Sequence, residues 1–321
     1  QRWKRILIIQ TAYLGDVVLA TALAEALHAS QPGASIDFLI RKGAEGLLNG
    51  HPFLGRIMTF DKKGGRAGQL FRLLGQIRAM RYDLVVNCHR FASSGFLAAF
   101  SGAKVVSGFR KNPFSRFYHY RYPHEIGNGM HEIDRNALLI SFLPHTVRFL
   151  PKLYPPANNS PGIKPYVCIA PASVWFTKQW PEHKWVELIK TLPASYTVYL
   201  LGSGADIALC ERIRIAAGKE QVINYAGQMN LLQSAGFMKD AEMNYVNDSA
   251  PLHLCSAVNA PVKAIFCSTI PGFGFGPLSD SAQIIEIEQP LYCRPCGLHG
   301  FKACPEGHFR CAEEINVKKV I

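Results

Sequence analysis

The 321-residue sequence has no uninterrupted apolar run approaching the ~18 residues of a membrane-spanning helix, which argues against a helical integral membrane protein. It has no repeat of fixed short period, so solenoid and propeller arrays are set aside. It also lacks the apolar poverty of disordered chains: 48% of residues are hydrophobic and 18% charged, ample for buried cores. Acidic residues are the scarce class, with 23 Asp+Glu against 35 Lys+Arg and a net charge of +12. The shortage is local. Residues 1–160 hold 21 Lys/Arg and 9 Asp/Glu, whereas residues 161–321 hold 14 of each. One half carries the whole excess and predicts a polyanionic partner there, leaving nucleic acid, an anionic membrane surface and a phosphorylated substrate open.

A clean leader peptide is missing too. Arg2, Lys4 and Arg5 ahead of Ile6–Ile9 imitate one, but Gln10, Thr11 and Asp16 interrupt the run. With Gln1 in first place, the natural start is expected upstream. Nor does the cysteine pattern read as a disulfide framework. The total of 9 is odd, and Cys88, Cys168, Cys210, Cys255 and Cys267 are scattered among apolar residues as reduced core thiols. That usage predicts a reducing, cytoplasmic compartment.

At ~100–200 residues per domain, the length predicts two domains. Periodicity gives strands at Arg5–Gln10, Ser35–Ile40, Arg56–Phe60, Asp83–Asn87 and Lys104–Ser107, with helices at Val17–Ala29, Leu70–Met80 and Ser93–Phe100 between them. The segment Tyr154–Gly162, with three prolines and a glycine, reads as a linker. Beyond it, strands are expected at Tyr166–Ala170, Thr197–Leu201, Met243–Val246, Val262–Phe266 and Gln283–Ile287. Helices are expected at Glu182–Thr191, Ala205–Ala217, Leu231–Met238 and Pro251–Val258. Alternation of this kind predicts α/β architecture with parallel, doubly wound sheets, in domains 1–157 and 158–321 facing across a cleft. Ligands of such sheets bind beyond the carboxyl ends of the strands.

Several loops there carry chemistry. Asp16, after Gly15, falls in the first turn of the helix following the first strand, where it serves either as a helix cap or as a catalytic carboxylate. Lys178-Gln179-Trp180-Pro181 stands at a helix start after the strand ending at Ala170. A lysine there suits a phosphate, and Ser173 and Thr177 add hydroxyls; an ordinary solvated lysine is the alternative. Asn247-Asp248-Ser249-Ala250-Pro251-Leu252-His253 joins a strand to another helix start, whose N–H groups attract anions. Asp248 would repel a phosphate, so it is expected to contact a hydroxyl or orient a neighbour. His253 faces either the ligand or the core. Leu201-Gly202-Ser203-Gly204 lacks the third glycine of a dinucleotide fingerprint and reads as a tight strand-end loop leading to Asp206. The basic, aromatic run Phe109–Tyr122, with Lys62, Lys63 and Arg66 upstream, suits bases, a membrane interface or sugar phosphates. Cys293, Cys296, Cys304 and Cys311 can surround one ion, with structural zinc the leading expectation ahead of free thiols, disulfides or an iron–sulfur cluster.

Taken together, these residues resemble glycosyltransferase family 9, the ADP-heptose:lipopolysaccharide heptosyltransferases. The likeness rests on Arg5–Ile9 with Gly15-Asp16-Val17-Val18, Ala170-Pro171 with Lys178-x-Trp180-Pro181, Ala226-Gly227, and Asn247-Asp248-Ser249-x3-His253. The resemblance implies a GT-B fold of two Rossmann-like domains, with acceptor on the first and nucleotide sugar on the second. The last helix would pack back on the N-terminal domain. It implies inverting transfer without a catalytic metal or other cofactor, Asp16 as general base and Lys178 on the donor phosphates. Asp248, Ser249, Ala250 and His253 would line the diphosphate loop, with Ser173 and Met229 in the donor pocket. Ala250 stands where the family often has glycine. The expected reaction moves heptose from ADP-heptose to the inner core of lipopolysaccharide, on an acceptor of lipid A–Kdo type. Lys62, Lys63, Arg66, Arg110 and Arg116 would hold that anionic glycolipid at the inner face of the cytoplasmic membrane, with no nucleic acid partner. Another nucleotide sugar feeding a different surface glycan is the nearest alternative, and a non-catalytic sugar- or nucleic-acid-binding protein the next. The four-cysteine tail departs from the best-known heptosyltransferases.

Overall fold

The computed structural model describes residues 3–61, 66–144, 147–156 and 163–321. The chain forms two compact units, Gln1–Tyr154 and Pro155–Ile321. The division falls at the start of the proline-rich segment.

The first unit is a six-stranded parallel sheet. Its strands are β1 (Arg5–Gln10), β2 (Ser35–Arg41), β3 (Leu54–Phe60), β4 (Leu84–Asn87), β5 (Val105–Phe109) and β6 (Tyr120–Tyr122). Their spatial order is β3-β2-β1-β4-β5-β6. The order reverses between β1 and β4, which opens a crevice at their carboxyl ends. Residues Ile6–Gln10 of β1 are all buried, as a central parallel strand with both faces covered requires. Helix α1 (Leu14–Ser30) buries Val17–Ala24, Ala26 and Leu27, apolar nearly all round. It packs on β1 and β2 on one side and on α4 (Glu132–Leu138) on another, so a one-sided stripe would not suffice. Helices α2 (Arg66–Met80) and α3 (Ala92–Ala99) complete the unit, and Leu73, Leu74, Ile77, Leu97 and Ala98 enter its core.

The second unit repeats the plan. Strands β7 (Tyr166–Ala170), β8 (Thr197–Leu200), β9 (Val222–Asn224), β10 (Met243–Asn247), β11 (Val262–Phe266) and β12 (Ala282–Glu286) pair in parallel in the order β12-β11-β10-β7-β8-β9. The crevice here lies between β7 and β10. Helices α5 (Glu182–Thr191), α6 (Ile207–Ala217), α7 (Leu231–Lys239) and α8 (Ala250–Val258) provide the crossovers, and a short α9 (Arg310–Glu313) lies near the end. Helix α9 and the chain after it pack into this unit's own core through Cys311, Ala312, Ile315, Val317 and Val320. No described helix is long and apolar enough to cross a membrane.

Four elements were not placed by the sequence pattern: β6, β9, α4 and the four-residue α9. The two strands have three residues each, too few to establish a period. Helix α4 is disguised by burying Glu132, Arg135 and Asn136, residues that a pattern reading assigns to solvent.

Candidate active site

Asp16 is the third residue of α1, directly beyond the carboxyl end of β1. Its Oδ2 accepts a hydrogen bond from the Tyr13 N–H at 3.1 Å. The carboxylate therefore acts as a helix cap, the modest role weighed for it, yet its environment is not that of an ordinary cap. It is half-buried, and its pKa is pushed up to about 7. Burial is the main cause and the negative charge of Glu132 the second, opposed by the Tyr13 and Asp16 N–H groups and the charge of Arg90.

Glu132 comes from α4. It accepts from Arg135 Nε at 2.7 Å and stands 3.5 Å from His124 Nε2, with all three side chains buried. Burial would raise its carboxyl, but the hydrogen bonds and charges of His124 and Arg135 hold it below the usual range. Two neighbouring carboxyl groups are thus driven apart, one kept ionised and one poised near neutrality. Glu132→Gln removes a negative neighbour of Asp16. The acid limb of the kcat/KM profile is then expected to move to lower pH, by up to about one unit. An unmoved limb would sever Glu132 from the base.

At the ends of β1 and β4, Thr11 Oγ1 and His89 Nδ1 lie 3.0 Å apart. Asn112 Nδ2 donates to the carbonyls of His89 and Phe91, both at 3.0 Å, fixing the loop that carries Arg90. Arg110 and Arg116 are exposed in the loop after β5. Lys62 and Lys63 lie outside the described residues; Arg66 begins α2, and its side chain lies outside them too.

In the second unit, three adjacent strands deliver one constellation. After β7, a turn at Phe176–Lys178 brings Lys178 Nζ within 2.6 Å of Asp248 Oδ2, which follows β10. After β11, Thr269 Oγ1 donates to the same oxygen at 2.6 Å. Both members of the pair are largely buried, so each fixes the other. Asp248 thus orients a neighbour, one of the two roles expected of it. Asn247 ties the loops together by accepting from the Trp180 N–H at 3.0 Å and donating to the Pro171 carbonyl at 2.7 Å.

Ser249 is the extended residue before α8, which Ala250 and Pro251 open, so the start of that helix directly follows the Asp248 loop in the chain. His253, one turn in, is buried, with its ring edge-on to Phe275 at 6.4 Å. Ser173 is half-buried in the β7 loop, its carbonyl accepting from Gln179 Nε2 at 2.6 Å. Met229 is half-buried beyond β9, ahead of α7. The Gly202 loop is a tight turn closed by Asp206, which accepts from the Ser203 N–H and Oγ.

The cysteine-bearing segment props up the lysine turn. Thr177 N–H donates to the Phe301 carbonyl at 3.1 Å, and the Phe301 N–H donates to Thr177 Oγ1 at 2.8 Å. Gly300 sits at φ +75°, and a Cβ there would stand 2.7 Å from Thr177 Oγ1 and 3.2 Å from Lys178 Cγ. Trp180 Nε1 donates to the Ala312 carbonyl at 3.2 Å, anchoring the same loop from behind. Cys293, Cys296 and Cys304 are half-buried and Cys311 is buried, all as free thiols. Cys293 Sγ lies 4.0 Å from His308 Nε2. Among the described residues, no three His, Cys, Asp or Glu side chains are arranged to hold a metal ion.

Thr269, Glu132 and Gly300 were missed in the sequence, for they stand in no recognisable motif. The weak signal for Thr269 is its place three residues past a predicted strand end.

A carboxylate poised near neutrality stands at the switch point of one doubly wound unit, and a buried lysine at a helix start stands at that of the other. Two doubly wound units with such loops at their switch points fit the GT-B class of glycosyltransferases. Residues 70–299 match the model of "Glycosyltransferase family 9 (heptosyltransferase)", and the chain belongs to that family. It is 28% identical to lipopolysaccharide heptosyltransferase 1 of Pseudomonas aeruginosa, over 91% of this chain and 86% of the relative. The fold is similar to that of Escherichia coli ADP-heptose lps heptosyltransferase II, at a TM-score of 0.80 and 21% identity over 98% of this chain and 96% of the other. It is also similar to that of E. coli heptosyltransferase WaaC with ADP, at a TM-score of 0.72 and 20% identity over 87% and 92%.

Proposed function

We propose that the protein transfers heptose from ADP-heptose to the inner core of lipopolysaccharide, with inversion at the anomeric carbon. The observation behind this reading is the pairing of Lys178 and Asp248 at the start of α8, in a member of the heptosyltransferase family. Relatives named as lipopolysaccharide heptosyltransferases, and a similar fold solved with ADP, supply the substrate class.

In the proposed reaction, Asp16 accepts the proton of an acceptor hydroxyl. The hydroxyl oxygen attacks the anomeric carbon from the face opposite the nucleotide, and the bond to the diphosphate breaks. Lys178, the N–H groups opening α8 and His253 stabilise the departing diphosphate. Asp248 and Thr269 hold the lysine in place for that task. Ser173 and Met229 belong to the donor pocket, and Arg110 and Arg116 with Lys62, Lys63 and Arg66 to the acceptor side. The acceptor is an anionic glycolipid, met by peripheral contact at the inner face of the cytoplasmic membrane without a nucleic acid partner.

A thermal-shift screen of ADP-, GDP- and UDP-sugars tests the donor. ADP-heptose is expected to raise the melting temperature most, since a ligand that binds only the native state stabilises it. A larger shift with a GDP- or UDP-sugar would replace the heptose reading with that of another surface glycan.

The four tail thiols are proposed separately as a structural zinc site. Cys293, Cys296 and Cys304 lie in the segment between β12 and α9, which contains no helix or strand and is of a length rarely ordered by its own contacts, and Cys311 is the second residue of α9. Closing on one ion would draw the side chains further together than they stand. Elemental analysis of the reduced protein is expected to find one zinc per chain; its absence would leave four plain thiols.

A further inference from the structure

The charge excess has a narrower address than the first half of the chain. Residues 62–124 contain twelve Lys/Arg and a single acid, Asp83, a balance of +11. That acid is already bound by Lys104 at 2.7 Å. Helix α2 has no acidic residue, and Arg72 and Arg78 on it are exposed, as are Arg110, Lys111, Arg116 and Arg121 beyond β5.

Among these cations lies a continuous patch of phenylalanines from three separate segments. Phe71 of α2 meets Phe96 of α3 at 5.8 Å between ring centroids, and Phe96 meets Phe100 at 5.1 Å and Phe114 at 5.9 Å. Phe100 in turn meets Phe114 at 6.0 Å and Phe117 at 5.6 Å. Phe71 is 63% exposed, Phe117 44% and Phe100 39%, large values for rings in mutual contact. An apolar patch of this kind, rimmed by charge of one sign, is unusual on a monomer surface and marks an interaction site. The loop holding Phe114 and Phe117 leaves the carboxyl end of β5, the same edge of the sheet on which Asp16 follows β1.

We infer that this patch is the surface by which the protein docks on an anionic lipid bilayer, with the phenylalanines entering the headgroup–acyl boundary and the ring of cations meeting lipid phosphates. The inference rests on the proposed peripheral placement and names the face responsible. Charge complementarity selects an anionic partner. Ring geometry selects lipid over nucleic acid. Phe71 and Phe96 are edge-to-face at 84°, as are Phe96 and Phe114 at 74° and Phe100 and Phe114 at 77°, while the guanidinium of Arg116 covers the face of Phe117 at 4.8 Å. Base stacking needs open ring faces. Insertion into a bilayer needs only apolar edges.

The test is co-sedimentation of the full chain, without donor or acceptor, with phosphatidylethanolamine vesicles containing phosphatidylglycerol and with phosphatidylcholine vesicles. Binding to the anionic vesicles alone, weakened by salt, is expected. Phe71→Ser with Phe117→Ser should weaken it about tenfold or more, and Arg72→Glu with Arg78→Glu by a comparable factor. Both double variants should keep the wild-type melting temperature and the wild-type rate on a deacylated, water-soluble acceptor. Equal binding to both vesicle types, or variants that sediment like wild type, would overturn the inference. So would self-association abolished by the phenylalanine changes, or tighter binding to single-stranded DNA than to the anionic vesicles. Because no sugar donor is present, failure here leaves the heptose reading intact, and failure of the donor screen leaves the docking surface intact.

Discussion

Asp16→Asn is expected to lower kcat/KM by about 10²–10⁴-fold while ADP still binds, since a positioned general base contributes an effect of that size. Asparagine keeps the shape and can still accept from the Tyr13 N–H, so the cap survives and the proton acceptor is lost. In the wild type, activity should rise with pH through about 7 as the Asp16 carboxyl deprotonates. Stability should move the opposite way. Because the folded-state pKa is raised, the native chain holds this proton more tightly than the unfolded chain. The resulting stabilisation is full below the ordinary carboxylate range and is lost as pH climbs toward about 7. Asp16→Asn should therefore melt above wild type at pH 8, with that advantage shrinking at pH 4. Normal turnover by the variant would remove Asp16 from the base role, and an unchanged melting difference across pH would remove the perturbed carboxyl.

The second large effect is expected at the lysine turn. Lys178→Ala should weaken donor binding roughly tenfold to a hundredfold, the range for a charge-assisted hydrogen bond to phosphate. It should also depress the melting temperature, because it strands the largely buried Asp248 carboxylate without its cation. Pairing it with Asp248→Asn separates the two consequences. The double variant should recover much of the melting temperature, since the stranded charge is gone, and none of the affinity, since the cation is still missing. Isothermal titration with ADP and a thermal melt on the same samples check both. Recovery of affinity in the double variant would show that Lys178 acts only by neutralising Asp248.

The place of most candidate-site loops was legible because each of them is local. Asp16, Lys178 and the Asp248–His253 run each follow a strand that its own apolar pattern announces, and a doubly wound sheet sends all such loops to one edge. The tail was legible only as a cluster of thiols. That Phe301 bonds Thr177, and that Gly300 leaves no room for a side chain beside it, depends on residues more than a hundred positions apart. The buried cluster of Glu132, Arg135 and His124 was hidden for another reason: in a pattern, a charged residue signals solvent, and only packing reveals when it has been paired and enclosed.

The opening scarcity of acid divides the same way. Composition alone determined that the first half is cationic, because net charge is a sum and needs no geometry. Alternation of strand and helix likewise determined two parallel α/β units, since each period is set by residues a few positions apart. Which cations share a surface with which phenylalanines, and which carboxylate is driven toward neutrality, were decided by the tertiary structure. Burial and Coulomb interaction act through space, and α4 and the β5 loop come near their partners only when the sheet has closed its order.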